Sequence, residues 1–384
     1  PRPRAAGARG GAPAMPQGPG KRKAEGAAAG RAAEPYKVDW RTQERRPFRR
    51  GFIGYGPCGV APAAAVKRRK KLGIDSVEDP AGEDATPLPL ESFEAAGVVP
   101  GWLLEALQEA DRFEPSPIEA QALPIVLAGQ NLIAVVAGGA SKEAAGGTGS
   151  AAYLVPAAVH AEDQAALEEE DPGPIVLVLA AQDLCARIAA EASRLLAHSA
   201  HGARHPGGLR AVDVSGGGTR SEKLRQLGPS GAHVVVGTPK RVHDMASKGQ
   251  LSLLRVTLLV LDGADRLLDK ATLAEVRELH GWIRPERQTV LVAATWPRQL
   301  HLLAGDLCYA AGLPVRVSAS GATAAAPASK KAGARAASVG ASTPVPDAGF
   351  EEVELEDEAE QVAAAPGDPA CDDDFPDDWE ASLA

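Results

Sequence analysis

The sequence predicts an α/β protein built on a doubly wound parallel sheet. Two observations lead there. Short apolar runs rich in Val, Ile and Leu recur at 131–137, 175–180, 210–214, 233–237, 256–261, 289–294 and 314–318, as expected of strands buried on both faces. Stretches with helical period lie between them, for example 183–197 and 298–306. Strand alternating with helix implies parallel pairing with helices covering both faces.

Charge divides the chain into three. Residues 1–85 form an expected disordered basic arm, 86–321 the folded domain, and 322–384 an Ala-rich, then acidic, disordered tail. Residues 1–74 carry eighteen Lys/Arg against four Asp/Glu, and no Lys or Arg follows Arg335. Blocks of like charge are usually solvated tails. The clusters Lys21-Arg22-Lys23 and Lys67-Arg68-Arg69-Lys70-Lys71 suit nucleic-acid contact and a nuclear or nucleocytoplasmic location; a merely solvated arm is the alternative. Arg49-Arg50-Gly51-Phe52-Ile53-Gly54-Tyr55-Gly56 interleaves cations with aromatics, a pattern that can stack on single-stranded bases. Cys58, Cys185, Cys308 and Cys371 lack metal or redox spacing, which fits a reducing compartment. No apolar run approaches the roughly 18 residues of a membrane span.

Along the chain, order is expected from about Pro87. Trp102, Leu103, Leu107 and Ala110 share a helix face. Phe93, just before, is either a core anchor for that helix or an exposed ring. Residues 161–173 read as an acidic loop. His198, His201 and His205 have no Cys or carboxylate to complete a zinc set, so they read as a polar helix end.

Four stretches carry chemistry. Asp262 ends the run Val256–Leu261, and ligands of open α/β sheets bind outside the carboxyl ends of strands. A carboxylate there suits a phosphate-bound Mg²⁺, directly or through water; a helix N-cap is the alternative. Gly138 and Gly139 follow the first strand and can bring backbone N–H groups to an anion, with Lys142 beyond. Ser215-Gly216-Gly217-Gly218 can do the same. Thr238, Pro239 and Arg241 open a helix, where hydroxyl, guanidinium and helix N-terminus form a phosphate clamp or an ordinary cap.

Taken in order, these stretches resemble the first RecA-like domain of DEAD-box RNA helicases. Val260-Leu261-Asp262-Gly263-Ala264-Asp265-Arg266-Leu267-Leu268-Asp269 is similar to the family's Val-Leu-Asp-Glu-Ala-Asp-Arg-Met-Leu-Asp, with Gly263 in place of the glutamate. Ala293-Ala294-Thr295-Trp296-Pro297 resembles its Ser-Ala-Thr-Trp-Pro. Arg112-Phe113-Glu114-Pro115-Ser116-Pro117-Ile118-Glu119 resembles Gly-Phe-x-x-Pro-Thr-Pro-Ile-Gln, one residue short before the first Pro.

The resemblance implies roles. Phe93 stacks on adenine and Glu119 stands where a glutamine reads it; an ionised carboxylate accepts from N6 but cannot donate to N7. Aligned from upstream, Lys142 is the phosphate lysine and Glu143 replaces the hydroxyl that meets Mg²⁺. Asp262 meets the metal, Asp265 couples to Thr295 through a link weakened by the loss of the family's Ser at Ala293, and the position of Gly263 is the one that activates water. Gly216, Gly217, Thr238, Pro239 and Arg241 hold the RNA backbone. The cofactor implied is ATP with Mg²⁺, weakly bound. The expected function is RNA binding with deficient hydrolysis and unwinding, since no second set of strands and helices follows 321. The alternatives are a non-catalytic scaffold whose acidic tail binds a protein partner, and a truncated form of an active helicase.

Overall fold

In the computed structural model, residues 38–56, 62–136, 149–201, 204–308 and 312–319 are described. All seven expected strands form: β2 (Leu132–Val136), β3 (Val176–Ala180), β4 (Ala211–Asp213), β5 (Val234–Gly237), β6 (Leu258–Asp262), β7 (Gln288–Ala293) and β8 (Val315–Ala319). An eighth, β1 (Ile74–Glu78), precedes them. The sheet runs β1-β8-β2-β7-β6-β3-β5-β4. Every pairing is parallel except β1 with β8. The helices are α1 (Pro62–Lys71), α2 (Gly101–Glu109), α3 (Pro117–Leu127), α4 (Ala151–Asp163), α5 (Gln182–Leu195), α6 (Arg220–Leu227), α7 (Pro239–Ser247), α8 (Lys270–Trp282) and α9 (Arg298–Cys308).

Strand parity sorts the core into two layers. Val176, Val178, Leu258 and Val260 meet Leu103, Leu123, Tyr153 and Ile188 of α2 to α5. Leu177, Leu179, Leu259 and Leu261 meet Val242, Val276, Leu279 and Leu300 of α7 to α9. Successive strand residues face opposite ways, so Asp262 continues the parity of Leu258 and Val260 and lies on the α4 side.

The boundary expected at residue 85 is corrected. Residues 38–56 and 62–85 fold onto the domain and extend its sheet. Strand β1 escaped the alternation rule because a bulge falls between Ile74 and Ser76. Its buried residues, Ile74 and Val77, are therefore three apart rather than two. In the basic cluster of α1, Arg69 is buried and donates to Gln121 Oε1 at 2.9 Å and to the Thr86 carbonyl at 3.1 Å.

The stacking segment is corrected too. Residues 38–56 form a strap held to the domain at several points. Trp40 Nε1 donates to the Gly281 carbonyl at 3.2 Å, and Arg45 pairs with Glu286. Arg46 and Arg255 share Asp171 of the acidic loop. Phe48 and Phe52 meet the buried His160 ring edge-on, with centroids 5.6 and 6.2 Å away. The guanidinium of Arg49 lies 5.1 Å from the Phe52 centroid. Arg50 donates to the Gly129 carbonyl at 2.9 Å. These aromatics and cations recognise each other and the domain. Residues 1–37 and 320–384 lie outside the described residues.

Candidate nucleotide and nucleic-acid site

The carboxyl ends of β6 and β7 carry Asp262, Asp265 and Thr295. Asp262 is the last residue of β6 and 4 % exposed. Its parity points it at α4, where Tyr153 Oη donates to Oδ2 at 2.8 Å. Burial pushes the Asp262 carboxyl above its ordinary value, against the lowering effect of the Tyr153 bond. Burial, then the Asp262 charge, pushes the Tyr153 hydroxyl well up, so the tyrosine stays a donor. The sequence did not single out Tyr153. The available signal was a hydroxyl inside an apolar helix, since a buried Tyr O–H needs a partner.

Gly263 follows in the left-handed region, at φ 64° and ψ 41°. A Cβ there would stand 3.0 Å from Leu184 Cδ1. This backbone is favoured by glycine and costs an ordinary L residue about 1–2 kcal/mol. The missing glutamate is thus matched by a backbone that disfavours one.

Asp265 and Thr295 meet as expected. Oδ2 of Asp265 accepts from Thr295 Oγ1 at 3.0 Å and Thr295 N at 3.2 Å, while Oδ1 accepts from Ala294 N at 3.3 Å. The coupling expected to be weak therefore has three hydrogen bonds, all formed with Ala293 in place of the family's serine. Arg266 forms a two-pronged pair with Asp183 at 3.0 and 2.7 Å. Both partners are exposed, so the pair adds at most about 1 kcal/mol.

The expected base-reading residues sit elsewhere than expected. Phe93 is 2 % exposed and packs in one core cluster with Trp102, Leu103 and Leu107. It is the core anchor, not an exposed ring. Glu119 is fully buried in the first turn of α3. Its Oε2 accepts the Ser116 N–H at 2.9 Å, and its Oε1 accepts from Arg112. Arg112, itself 9 % exposed, also donates to Glu191 Oε1 at 2.8 Å. Two carboxylates draw this guanidinium inside, leaving Phe113 66 % exposed.

The register of that motif is corrected accordingly. Asp111 has φ 55°, a conformation expected of the family's Gly. The motif therefore runs without deletion from Asp111 at the Gly position, and Arg112 replaces the Phe. Phe-to-Arg and Gln-to-Glu form one charge-balanced exchange.

Gly138, Gly139, Lys142 and Glu143 lie outside the described residues. The chain is described again from Gly149. Gly149, at φ 68°, leads into Ser150 at the start of α4. Ser150 is buried and its hydroxyl donates to Glu191 Oε2. The helix entrance thus keeps a hydroxyl, at Ser150, eight residues past Lys142. Asp262 and Ser150 offer the hard oxygen donors that Mg²⁺ prefers. Among the described residues no group of three or more His, Cys, Asp or Glu could hold a metal ion. His205 instead pairs with His233 at 3.1 Å, and His198 with Glu109 at 2.8 Å.

The expected RNA-binding residues are brought together. Thr238 caps α7 by accepting the Arg241 N–H at 3.3 Å, with Pro239 at the first helical position. Arg241 Nε donates to the Val214 carbonyl at 3.2 Å, which ties α7 to the turn 215–218. In that turn Gly217 has φ 68°, and a Cβ on Gly216 would fall 2.4 Å from Gln182 Nε2. A side chain at 216 would have to displace the Gln182 amide, and the left-handed backbone at Gly217 favours glycine. Gln182 Nε2 donates to Ser215 Oγ at 3.2 Å, an anchor that the sequence reading did not include.

Known proteins share this architecture. Residues 116–303 match the DEAD/DEAH box helicase family. The chain is 35 % identical over 265 residues to "DEAD-box ATP-dependent RNA helicase 20" of Arabidopsis thaliana, covering 68 % of this chain and 48 % of that one. It is 33 % identical over 274 residues to "ATP-dependent RNA helicase DBP2" of Mycosarcoma maydis, covering 70 % and 45 %. The chain thus spans about half the length of these relatives. Yeast splicing factor Prp28 superposes with a TM-score of 0.57 at 19 % identity, covering 68 % of this chain and 58 % of that one. The ADP-bound Prp28 of Chaetomium thermophilum gives 0.53 at 26 %, covering 68 % and 57 %.

Proposed function

Because residues 116–303 belong to the DEAD/DEAH box helicase family, we propose that this chain binds RNA as a DEAD-box domain and is deficient in autonomous ATP hydrolysis. The observation that carries the deficiency is Gly263. It stands next to the metal-side carboxylate Asp262, holds φ 64°, and offers no group to position or deprotonate water. Loss of a general base is worth about 10²–10⁴-fold in rate.

RNA binding rests on Gly216, Gly217, Thr238, Pro239 and Arg241, whose two segments the Arg241–Val214 bond ties together. Backbone N–H groups, a helix N-terminus and a guanidinium read phosphate, not sequence. Nucleotide binding belongs to the same reading and is supported by the ADP-bound relative. Mg²⁺ bound with ATP would neutralise phosphate charge, and Asp262 and Ser150 are the described residues suited to hold it. Tyr153 holds the Asp262 carboxylate in place, and the Asp265–Thr295 bond joins the two strand ends. The basic clusters support a nuclear or nucleocytoplasmic location.

The test is fluorescence anisotropy with a labelled single-stranded RNA over a salt series, beside phosphate release from ATP with and without that RNA. The reading expects affinity that falls steeply with salt and no RNA-stimulated release. Salt-independent affinity would refute the RNA part. RNA-stimulated release would refute the deficiency.

A further inference from the structure

The Arg112–Glu119 pair lies in the motif to which the resemblance assigns base reading. Glu119 is fully buried, and each of its oxygens already has a donor, Arg112 on Oε1 and Ser116 N on Oε2. The guanidinium of Arg112 is divided between Glu119 and Glu191, which is 5 % exposed. Opening this triad toward a ligand would leave buried charge uncompensated, which is strongly unfavourable. The aromatic to which the resemblance assigns adenine stacking, Phe93, is in the core at 2 % exposure. The cation at 112 and the carboxylate at 119 pair across seven residues, with Glu191 and the Ser116 N–H completing the set.

We propose that Arg112 and Glu119 are specificity-determining residues that make nucleotide binding by this chain indifferent to the base. The inference rests on the nucleotide-binding part of the reading above. A nucleotide bound here is selected by its phosphates and metal, so purine and pyrimidine triphosphates compete on equal terms. The cost of reading adenine would be loss of the triad.

The experiment is calorimetric titration of the full chain with the Mg²⁺ complexes of ATP, GTP, CTP and UTP. A double variant, Arg112→Phe with Glu119→Gln, is titrated alongside after its thermal transition is checked. The proposal expects the four affinities of the unmodified chain to agree within about threefold. It expects the double variant to prefer ATP over GTP by about tenfold, roughly 1.4 kcal/mol. A tenfold ATP preference in the unmodified chain overturns the proposal while leaving nucleotide binding intact. A folded double variant that gains no preference overturns the assignment to this pair. If no nucleotide titrates with the unmodified chain, the proposal and the nucleotide-binding reading fall together, and RNA binding in the same preparation stands apart. If the double variant does not fold, the titrations of the unmodified chain decide.

Discussion

Tyr153 Oη donates a 2.8 Å hydrogen bond to Oδ2 of Asp262, and both groups are buried. The metal-side carboxylate is thus held by its own protein before any ligand arrives. Replacing Tyr153 with Phe leaves a buried carboxylate oxygen without that donor. The expected loss of stability is about 1–3 kcal/mol, read as a lower urea midpoint with an unchanged slope.

The same site yields a pH-dependent prediction. Burial raises the folded Asp262 carboxyl above its value of 3.8 in the unfolded chain. The unfolded state therefore releases its proton first, and Asp262 detracts from stability as pH rises above 3.8. Asp262→Asn keeps the acceptor for Tyr153 and removes the charge. It should raise the melting temperature at neutral pH, and the gain should disappear near and below pH 3.8.

Histidines act in the opposite sense. Burial lowers His160 from 6.5 to about 4, His280 to about 4 and His233 to about 3. Each stays neutral in the fold while its unfolded counterpart takes up a proton. Their stabilising effect is full above pH 6.5 and is lost as pH falls toward 4 and 3. Each contributes at most about 1.4 kcal/mol per pH unit in that window. Urea titrations at pH 7 and pH 5 should show the midpoint falling. The His160 ring contacts both Phe48 and Phe52, so amide protection factors along the 38–56 strap, each referred to the intrinsic exchange rate at its own pH, should fall over the same pH range.

Reintroducing the missing glutamate should not restore hydrolysis. Gly263→Glu must adopt φ 64° and press on Leu184 Cδ1. It should cost about 1–2 kcal/mol, and Gly263→Ala about the same. Urea midpoints of both variants, with phosphate release measured alongside, check this.

Breaking the buried triad has a larger expected effect. Arg112→Leu leaves Glu119 and Glu191 facing each other without their shared cation, and should cost about 3–5 kcal/mol. The double variant Arg112→Phe with Glu119→Gln removes charge of both signs and should cost less. Denaturant curves of the two variants decide the order.

Most of the sheet was legible because its strands are continuous apolar runs and its connections have helical period. Strand β1 was not: its bulge hides the alternation, and it lies inside a basic, Gly-rich stretch that reads as tail. The strap 38–56 was hidden for a related reason. It has little apolar period of its own, and Arg45, Arg46 and Phe48 find partners more than a hundred residues away. At the site, Asp262, Asp265 and Thr295 were legible from motif order. Gly216 and Thr238 were legible from backbone and capping chemistry. The motif marks Glu119, but sequence spacing does not reveal that Arg112 joins it to Glu191. Tyr153 and Ser150 went unassigned because the motif was aligned from the strand, whereas the helix start at Ala151 fixes their place.

The most direct measurement of the central claim is RNA-stimulated phosphate release by the full chain, with Asp262→Ala as reference, under conditions where anisotropy shows RNA bound. RNA binding should be salt-sensitive, and release no faster than that of the reference. Release that rises with RNA and disappears in Asp262→Ala would contradict it and make this chain a working ATPase despite Gly263.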